Sequence, residues 1–117
     1  MSCIFCKIIA GEIPSTKLFE DDQFIAIKDL HPQAAVHVLV IPKKHVVSLD
    51  EAFPSDGSGD TEFIGKLMAT GTRVARERGL LPGGFRSVIN TGAGGGQSVF
   101  HLHLHILGGG SMSGKFG

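Results

Sequence analysis

Residues 101–107, His-Leu-His-Leu-His-Ile-Leu, alternate strictly between imidazole and aliphatic side chains. In an extended chain successive side chains point to opposite faces, so His101, His103 and His105 share one face and Leu102, Leu104 and Ile106 the other. A rise of about 3.3 Å per residue sets neighbouring histidines roughly 6.5–7 Å apart, which lets two rings reach opposite sides of one phosphate-sized group. Imidazole titrates near neutrality and can act as nucleophile, acid, base or ligand. Two chemistries are therefore open to the stripe. Paired His-x-His ligands can hold a catalytic metal, or one ring can attack phosphorus while its neighbours steady the phosphate and the ring's tautomer. The residues just upstream favour phosphorus. Asn90-Thr-Gly-Ala-Gly-Gly-Gly-Gln-Ser98 offers unobstructed backbone amides and a hydroxyl at Ser98, but no carboxylate to complete a metal site.

A second constellation is Cys3-Ile-Phe-Cys6, which holds both cysteines of the chain. Two thiols this close cannot staple a fold, so they read as a metal or redox pair, with a pair of ordinary reduced thiols as the alternative. Zinc would need two further ligands for a tetrahedral site. A redox pair would follow a strand at a helix start within a βαβ pattern, and the sequence shows none.

The elements that must position these groups are legible from periodicity. Residues 3–9 suit a short helical turn, ended by Gly11 and Pro14. Residues 18–20 and 24–28 read as strands, and residues 36–41 as a β-branched central strand covered on both faces. Ser48 and Glu51 fit a capping box, and residues 54–60 a flexible loop. From 61 to 78 the apolar residues Phe63, Ile64, Leu67, Met68, Val74 and Ala75 follow a 3.6 period, with Asp60 as N-cap and Gly79 as terminator. Residues 85–91 and 99–107 complete the strands. One long helix, short helices and closely connected strands predict an α+β domain over residues 1–117 with a mainly antiparallel five-stranded sheet.

Eleven basic and eleven acidic residues leave no formal net charge, which argues against nucleic acid or a membrane surface as partner. No apolar run approaches the roughly 20 residues of a membrane span. The first residues lack the basic and apolar regions of a signal peptide, so a cytoplasmic location is expected.

Taken with Phe5-Cys-Lys-Ile-Ile, Glu12-Ile-Pro, Glu20-Asp-Asp, Pro32-Gln-Ala, residues 37–45 and residues 90–98, the histidine stripe resembles the histidine triad superfamily, specifically its nucleotide-binding branch. The resemblance extends over about residues 3–110, with a 54–60 loop longer than in animal members. It implies a homodimer whose two sheets join, and hydrolysis of P–N bonds in purine nucleoside phosphoramidates through a covalent nucleotidyl-histidine. His103 would be the nucleophile, His105 the phosphate partner, and His37 the residue orienting the nucleophilic ring through a hydrogen-bond network. Ser98 and the Val99 amide would contact the phosphate or departing group, with Gly96 in the same loop. Asp29 would bind the ribose hydroxyls and Asn90 would line the cleft. Ile4, Phe5, Ile8, Ile27 and Leu39 would wall the base.

No cofactor is implied for catalysis. Many microbial members pair a Cys-x-x-Cys with the positions of His45 and His101, which implies a structural zinc on Cys3, Cys6, His45 and His101. Dinucleoside polyphosphate hydrolysis, as in a sister branch, and a nucleotide-binding module with incidental hydrolysis are the competing functions. The chain departs from the branch in lacking tryptophan and a Trp-Pro-Pro-Gly-like tail, and in carrying Thr91 and Lys28 where acidic and polar residues are frequent. Those departures imply altered leaving-group preference with retained chemistry.

Overall fold

The computed structural model describes residues 3–110, so the divergent tail lies outside the described residues. Helix α1 (Ile4–Ile9) leads into β1 (Lys17–Glu20), β2 (Phe24–Lys28) and β3 (Val36–Pro42). Helices α2 (Leu49–Ala52) and α3 (Thr61–Glu77) follow, then β4 (Phe85–Val88), a 3₁₀ turn (Ala93–Gly95) and β5 (Leu104–Gly108). The strands form one antiparallel sheet in the order β1-β2-β3-β5-β4. The α+β architecture anticipated from the sequence is present.

The alternation of the strands sorts their side chains into two apolar layers. Phe24, Ala26, Val38, Val40, Leu102, Leu104 and Ile106 pack beneath α3, joined by Leu67, Val74 and Ala75 of that helix. On the opposite face Ile25, Ile27, Leu39 and Ile41 pack against Phe5 and Ile8 of α1. With both faces covered, β2 and β3 are almost wholly buried, as continuous apolar strands require.

Helix α3 forms because its buried positions, Leu67, Gly71, Val74 and Ala75, fall on one stripe. The Asp60 carboxylate accepts from the Phe63 amide at 3.1 Å, and Gly79, at φ +78°, turns the chain out of the helix. The cap of α2 is looser than expected. Ser48 Oγ accepts from the Asp50 amide, while Glu51 reaches past Ser48 to the Val47 amide at 2.8 Å.

Two strand boundaries differ from expectation. The last ladder begins at Leu104, not at residue 99, because β3 pairs with β5 only as far as Val40–Leu104. Pro42, near that end of β3, has no N–H to extend a ladder, and its carbonyl is taken by the His101 ring instead. Residues 99–103 lie outside the ladder, tied by the Leu102 amide to the Val46 carbonyl at 2.7 Å. Strand β4 likewise stops at Val88, before the turn at residues 92–96.

Candidate active site and metal centre

The alternation survives where the ladder does not. His101, His103 and His105 all lie on the α1 side of the sheet, and His37 of β3 lies beside His105. Their hydrogen bonds fix one tautomer for each ring, because carbonyls only accept and backbone amides only donate.

His103 Nδ1 lies 2.7 Å from the carbonyl oxygen of His101 and must carry the proton, so its Nε2 presents a lone pair. His37 Nδ1 accepts from the Gln33 amide at 3.0 Å, so its proton sits on Nε2. That Nε2–H faces His105 Nδ1 at 2.9 Å, with Asp29 Oδ2 a second acceptor at 3.3 Å. His105 Nδ1 accepts the bond, which leaves the His105 proton on Nε2. Adjacent rings, with centroids 4.9 Å apart, thus present opposite functions: His103 a lone pair and His105 a donor.

Electrostatics keep both rings neutral. Burial pushes the His103 pKa below the ordinary histidine value, against the raising effects of the His101 carbonyl and Asp29. His105 is pushed to about 4, by burial first and then by the neighbouring His103 and His37 rings.

The sequence-designated residues do not all converge. Phe5, Ile8, Ile27 and Leu39 pack in one apolar cluster, whereas Ile4 is 46% exposed and stands apart. Ile4 instead lines a cleft of about 400 Å³ with Cys3, His45, Val47, Ser98, Val99 and Phe100. Asp29 and His37 border another cleft, of about 250 Å³, together with Lys28 and Arg78. Asp29 Oδ1 accepts from the His31 amide at 2.8 Å, so the carboxylate caps its own turn as well as facing His37. Asn90 is half-buried just beyond β4, and Gly96 takes a left-handed conformation, φ +89°, at the end of the 3₁₀ turn.

The hydrogen-bond network expected of His37 reaches the His105 ring and does not touch His103 directly. His37 hydrogen-bonds His105, and it is the His101 carbonyl that holds His103. The reason is register: His37 sits on β3 opposite Leu107, two residues along β5 from His105 and further from His103.

Sequence reasoning did not single out Gln97. Its buried amide accepts from Gly92 N at 2.8 Å and donates to the Val47 and Val99 carbonyls at 2.7 and 3.1 Å. Gln97 therefore pins both ends of the glycine turn and the segment carrying Ser98. The available signal was a lone amide side chain inside a glycine-serine run.

Among the described residues, two groups of side chains have metal-ligand spacing: Cys3, Cys6, His45 and His101, and Asp29, His37 and His105. The second does not fit, because the Gln33 amide occupies His37 Nδ1 and so keeps a proton on the nitrogen that would have to ligate. The first fits. Zn–S bonds of about 2.3 Å and Zn–N bonds of about 2.0–2.1 Å put tetrahedral ligand atoms roughly 3.3–3.8 Å apart. Here Cys3 Sγ and Cys6 Sγ lie 3.3 and 3.6 Å from His101 Nδ1, Cys6 Sγ 3.3 Å from His45 Nδ1, and the two Nδ1 atoms 3.1 Å apart. The His101 Nε2–H donates to the Pro42 carbonyl at 2.8 Å, which leaves Nδ1 free to ligate and orients the ring. In the metal-free protein the Cys6 thiol is pushed up, by burial first and then by Cys3, so ligation displaces protons and weakens as pH falls.

Among known proteins, a family model described as the HIT domain matches residues 10–112. Protein HitA of Neisseria gonorrhoeae is 47% identical over 107 residues, covering 92% of this chain and 95% of the relative. The crystal structure of a HIT family hydrolase from Legionella pneumophila matches with a TM-score of 0.87 at 42% identity, over 96% of each chain. A zinc-bound histidine triad family protein from Mycobacterium smegmatis matches with a TM-score of 0.77 at 39% identity, over 92% of this chain and 74% of that one.

Proposed function

Because this chain belongs to the HIT domain family, we propose that it is a hydrolase that takes the nucleotidyl group of a purine nucleoside phosphoramidate onto His103 and passes it to water. The observation that carries this reading is the opposed tautomers of His103 and His105. In the first step the His103 Nε2 lone pair attacks phosphorus and the P–N bond breaks, the leaving nitrogen taking a proton relayed from solvent through the Ser98 hydroxyl. In the second, water attacks phosphorus and the P–Nε2 bond breaks, the water's proton returning to solvent by the same route, which releases nucleoside monophosphate and the neutral ring. The His105 Nε2–H donates to a phosphoryl oxygen. The Ser98 and Val99 amides add fixed donors, and Ser98 serves the leaving group. Phe5, Ile8, Ile27 and Leu39 wall the base, with Ile4, Asp29 and Asn90 as outer contacts.

The Cys3, Cys6, His45 and His101 side chains would hold zinc, as their donor distances support. Bound there, zinc supplies a structural cross-link between α1 and the end of the sheet, with four protein ligands and no open position. Ligating thiolates persist where thiols are kept reduced, which supports a cytoplasmic location. Among the described residues no helix is long and apolar enough to cross a membrane. A second copy of the chain is the proposed partner: β4 closes one edge of the sheet, and its outer side offers backbone groups for a joined sheet.

Rapid quenching during turnover of an adenosine phosphoramidate, followed by mass measurement, tests the reaction. A nucleotidyl adduct on His103 is expected, together with faster cleavage of this substrate than of a dinucleoside polyphosphate. Replacing His103 with alanine should lower turnover about 10³-fold or more while nucleoside monophosphate binding stays measurable. Near wild-type hydrolysis by that variant would sink the assignment.

A further inference from the structure

His101 belongs to both sites. Its ring nitrogen Nδ1 faces Cys3, Cys6 and His45, while its own carbonyl oxygen holds the His103 Nδ1–H at 2.7 Å. Phe5 gives a second link. It lies between the two cysteines in the first turn of α1, and its ring packs edge-on against both His101 and His103, with centroids 5.8 and 5.0 Å away. Helix α1 has six residues, too few to be stable alone in water, so its position depends on what anchors it. Cys3 anchors it twice, since its sulfur also accepts from the Cys6 amide at 3.3 Å as the helix cap.

We propose that the Cys3–Cys6–His45–His101 centre positions the nucleophile: occupation by a divalent metal of the zinc type locks the His101 peptide and the Phe5 ring, and these together hold His103 in the single tautomer and orientation that presents Nε2. Cys3, Cys6 and His45 are then positioning residues that act through His101 and Phe5 without touching substrate. Residues 99–103 lie outside the β-ladder, so the His101 carbonyl is held by its ring contacts and the Leu102–Val46 bond. Freed of metal, the His101 ring keeps its bond to the Pro42 carbonyl and single hydrogen-bond contacts with Cys3, Cys6 and His45, each of which breaks independently. Helix α1 keeps its Cys3 cap and the burial of Phe5 and Ile8. The consequence for reaction is geometric, since misplacement of a reacting group by about 1 Å can cost up to 10²-fold.

The proposal rests on His103 being the nucleophile, and the test separates the two claims. The full chain, ¹⁵N-labelled, is compared zinc-loaded, stripped by chelator, and stripped then restored with zinc. The zinc-loaded protein should show one His103 tautomer protonated at Nδ1, with no substrate present. Stripping should move both ring nitrogens toward tautomer-averaged shifts, and zinc should restore them. The rate of His103 nucleotidylation should fall about tenfold or more while the nucleoside monophosphate dissociation constant changes less than about threefold. A stripped protein that keeps its far-ultraviolet dichroism and a single Nδ1–H tautomer would overturn the proposal. Should stripping unfold the chain, the His45→Gln variant, which keeps three ligands, is read in the same way: averaging supports the proposal, and a wild-type tautomer overturns it. Failure of the zinc-loaded protein to form any adduct would overturn the catalytic reading on which it stands, and the substrate-free tautomer spectrum tells the two failures apart.

Discussion

His37 Nε2 donates to His105 Nδ1 at 2.9 Å, across the β3–β5 pair. Because the Gln33 amide holds the far side of the His37 ring, that bond has one direction, and His105 is obliged to offer its remaining proton outward. A backbone amide thus decides, through two rings, which function His105 presents.

Replacing His37 with alanine should therefore act on His105 and leave His103 in place. A fall in kcat of about tenfold, with little change in KM, is expected, since the donor is lost without loss of base or ribose contacts. Steady-state kinetics on a phosphoramidate checks it. An unchanged kcat would show that the His105 tautomer is set by something other than His37.

Stability should depend on pH through the depressed histidines. The unfolded chain binds a proton at His105 near the ordinary value of 6.5, while the folded chain holds out to about 4. Between those values the unfolded state carries more protons, so stability rises with pH across that window. It is fully present above about 6.5, is lost progressively as pH falls, and levels off below about 4. His103, shifted in the same direction, adds to the slope. Melting temperatures measured from pH 7.5 to 4 should fall, and less steeply in a His105→Asn variant. A wild-type melting temperature that rose on acidification would contradict the sign.

Gly71 lets α3 approach the strand that carries the histidines. A Cβ there would meet Leu104 Cδ2, with Ile106 Cδ1 at 3.1 Å, and both neighbours are fully buried. Gly71→Val should destabilise by about 1–3 kcal/mol through overpacking. Leu104 and Ile106 flank His105 along β5, so activity should fall by more than the unfolded fraction explains. Denaturant titration beside kinetics on the folded protein would separate the two effects.

Gln97→Ala would leave the Gly92 amide and the Val47 and Val99 carbonyls without their partner. The cost should be about 1–3 kcal/mol, as for other buried polar groups left unpaired. A raised KM should accompany it, because the segment 96–99 loses its anchor. A variant as stable as wild type, with unchanged KM, would remove Gln97 from any part in shaping that segment.

What could be read without coordinates was whatever depends on local periodicity. The two-residue alternation of 101–107 assigns each histidine to a face even where no ladder forms, because extended backbone alone dictates side-chain direction. Likewise the 3.6 period and the Asp60 and Gly79 signals locate α3 within a residue of its observed ends. Family resemblance added the pairing of Cys3 and Cys6 with His45 and His101, which no local rule supplies, since Cys3 and His101 stand 98 positions apart.

Tertiary structure alone decided how the imidazoles divide their labour. Which ring nitrogen carries a proton depends on the Gln33 amide and the His101 and Pro42 carbonyls, groups every residue possesses and whose positions only the folded backbone sets. The strand boundary at Leu104, the link from His37 to His105 and the buried Gln97 pin follow from register and packing between segments distant in sequence. The sequence determined that the histidines share a face; the fold determined that His103 offers a lone pair and His105 a proton, and that His101 faces Cys3, Cys6 and His45.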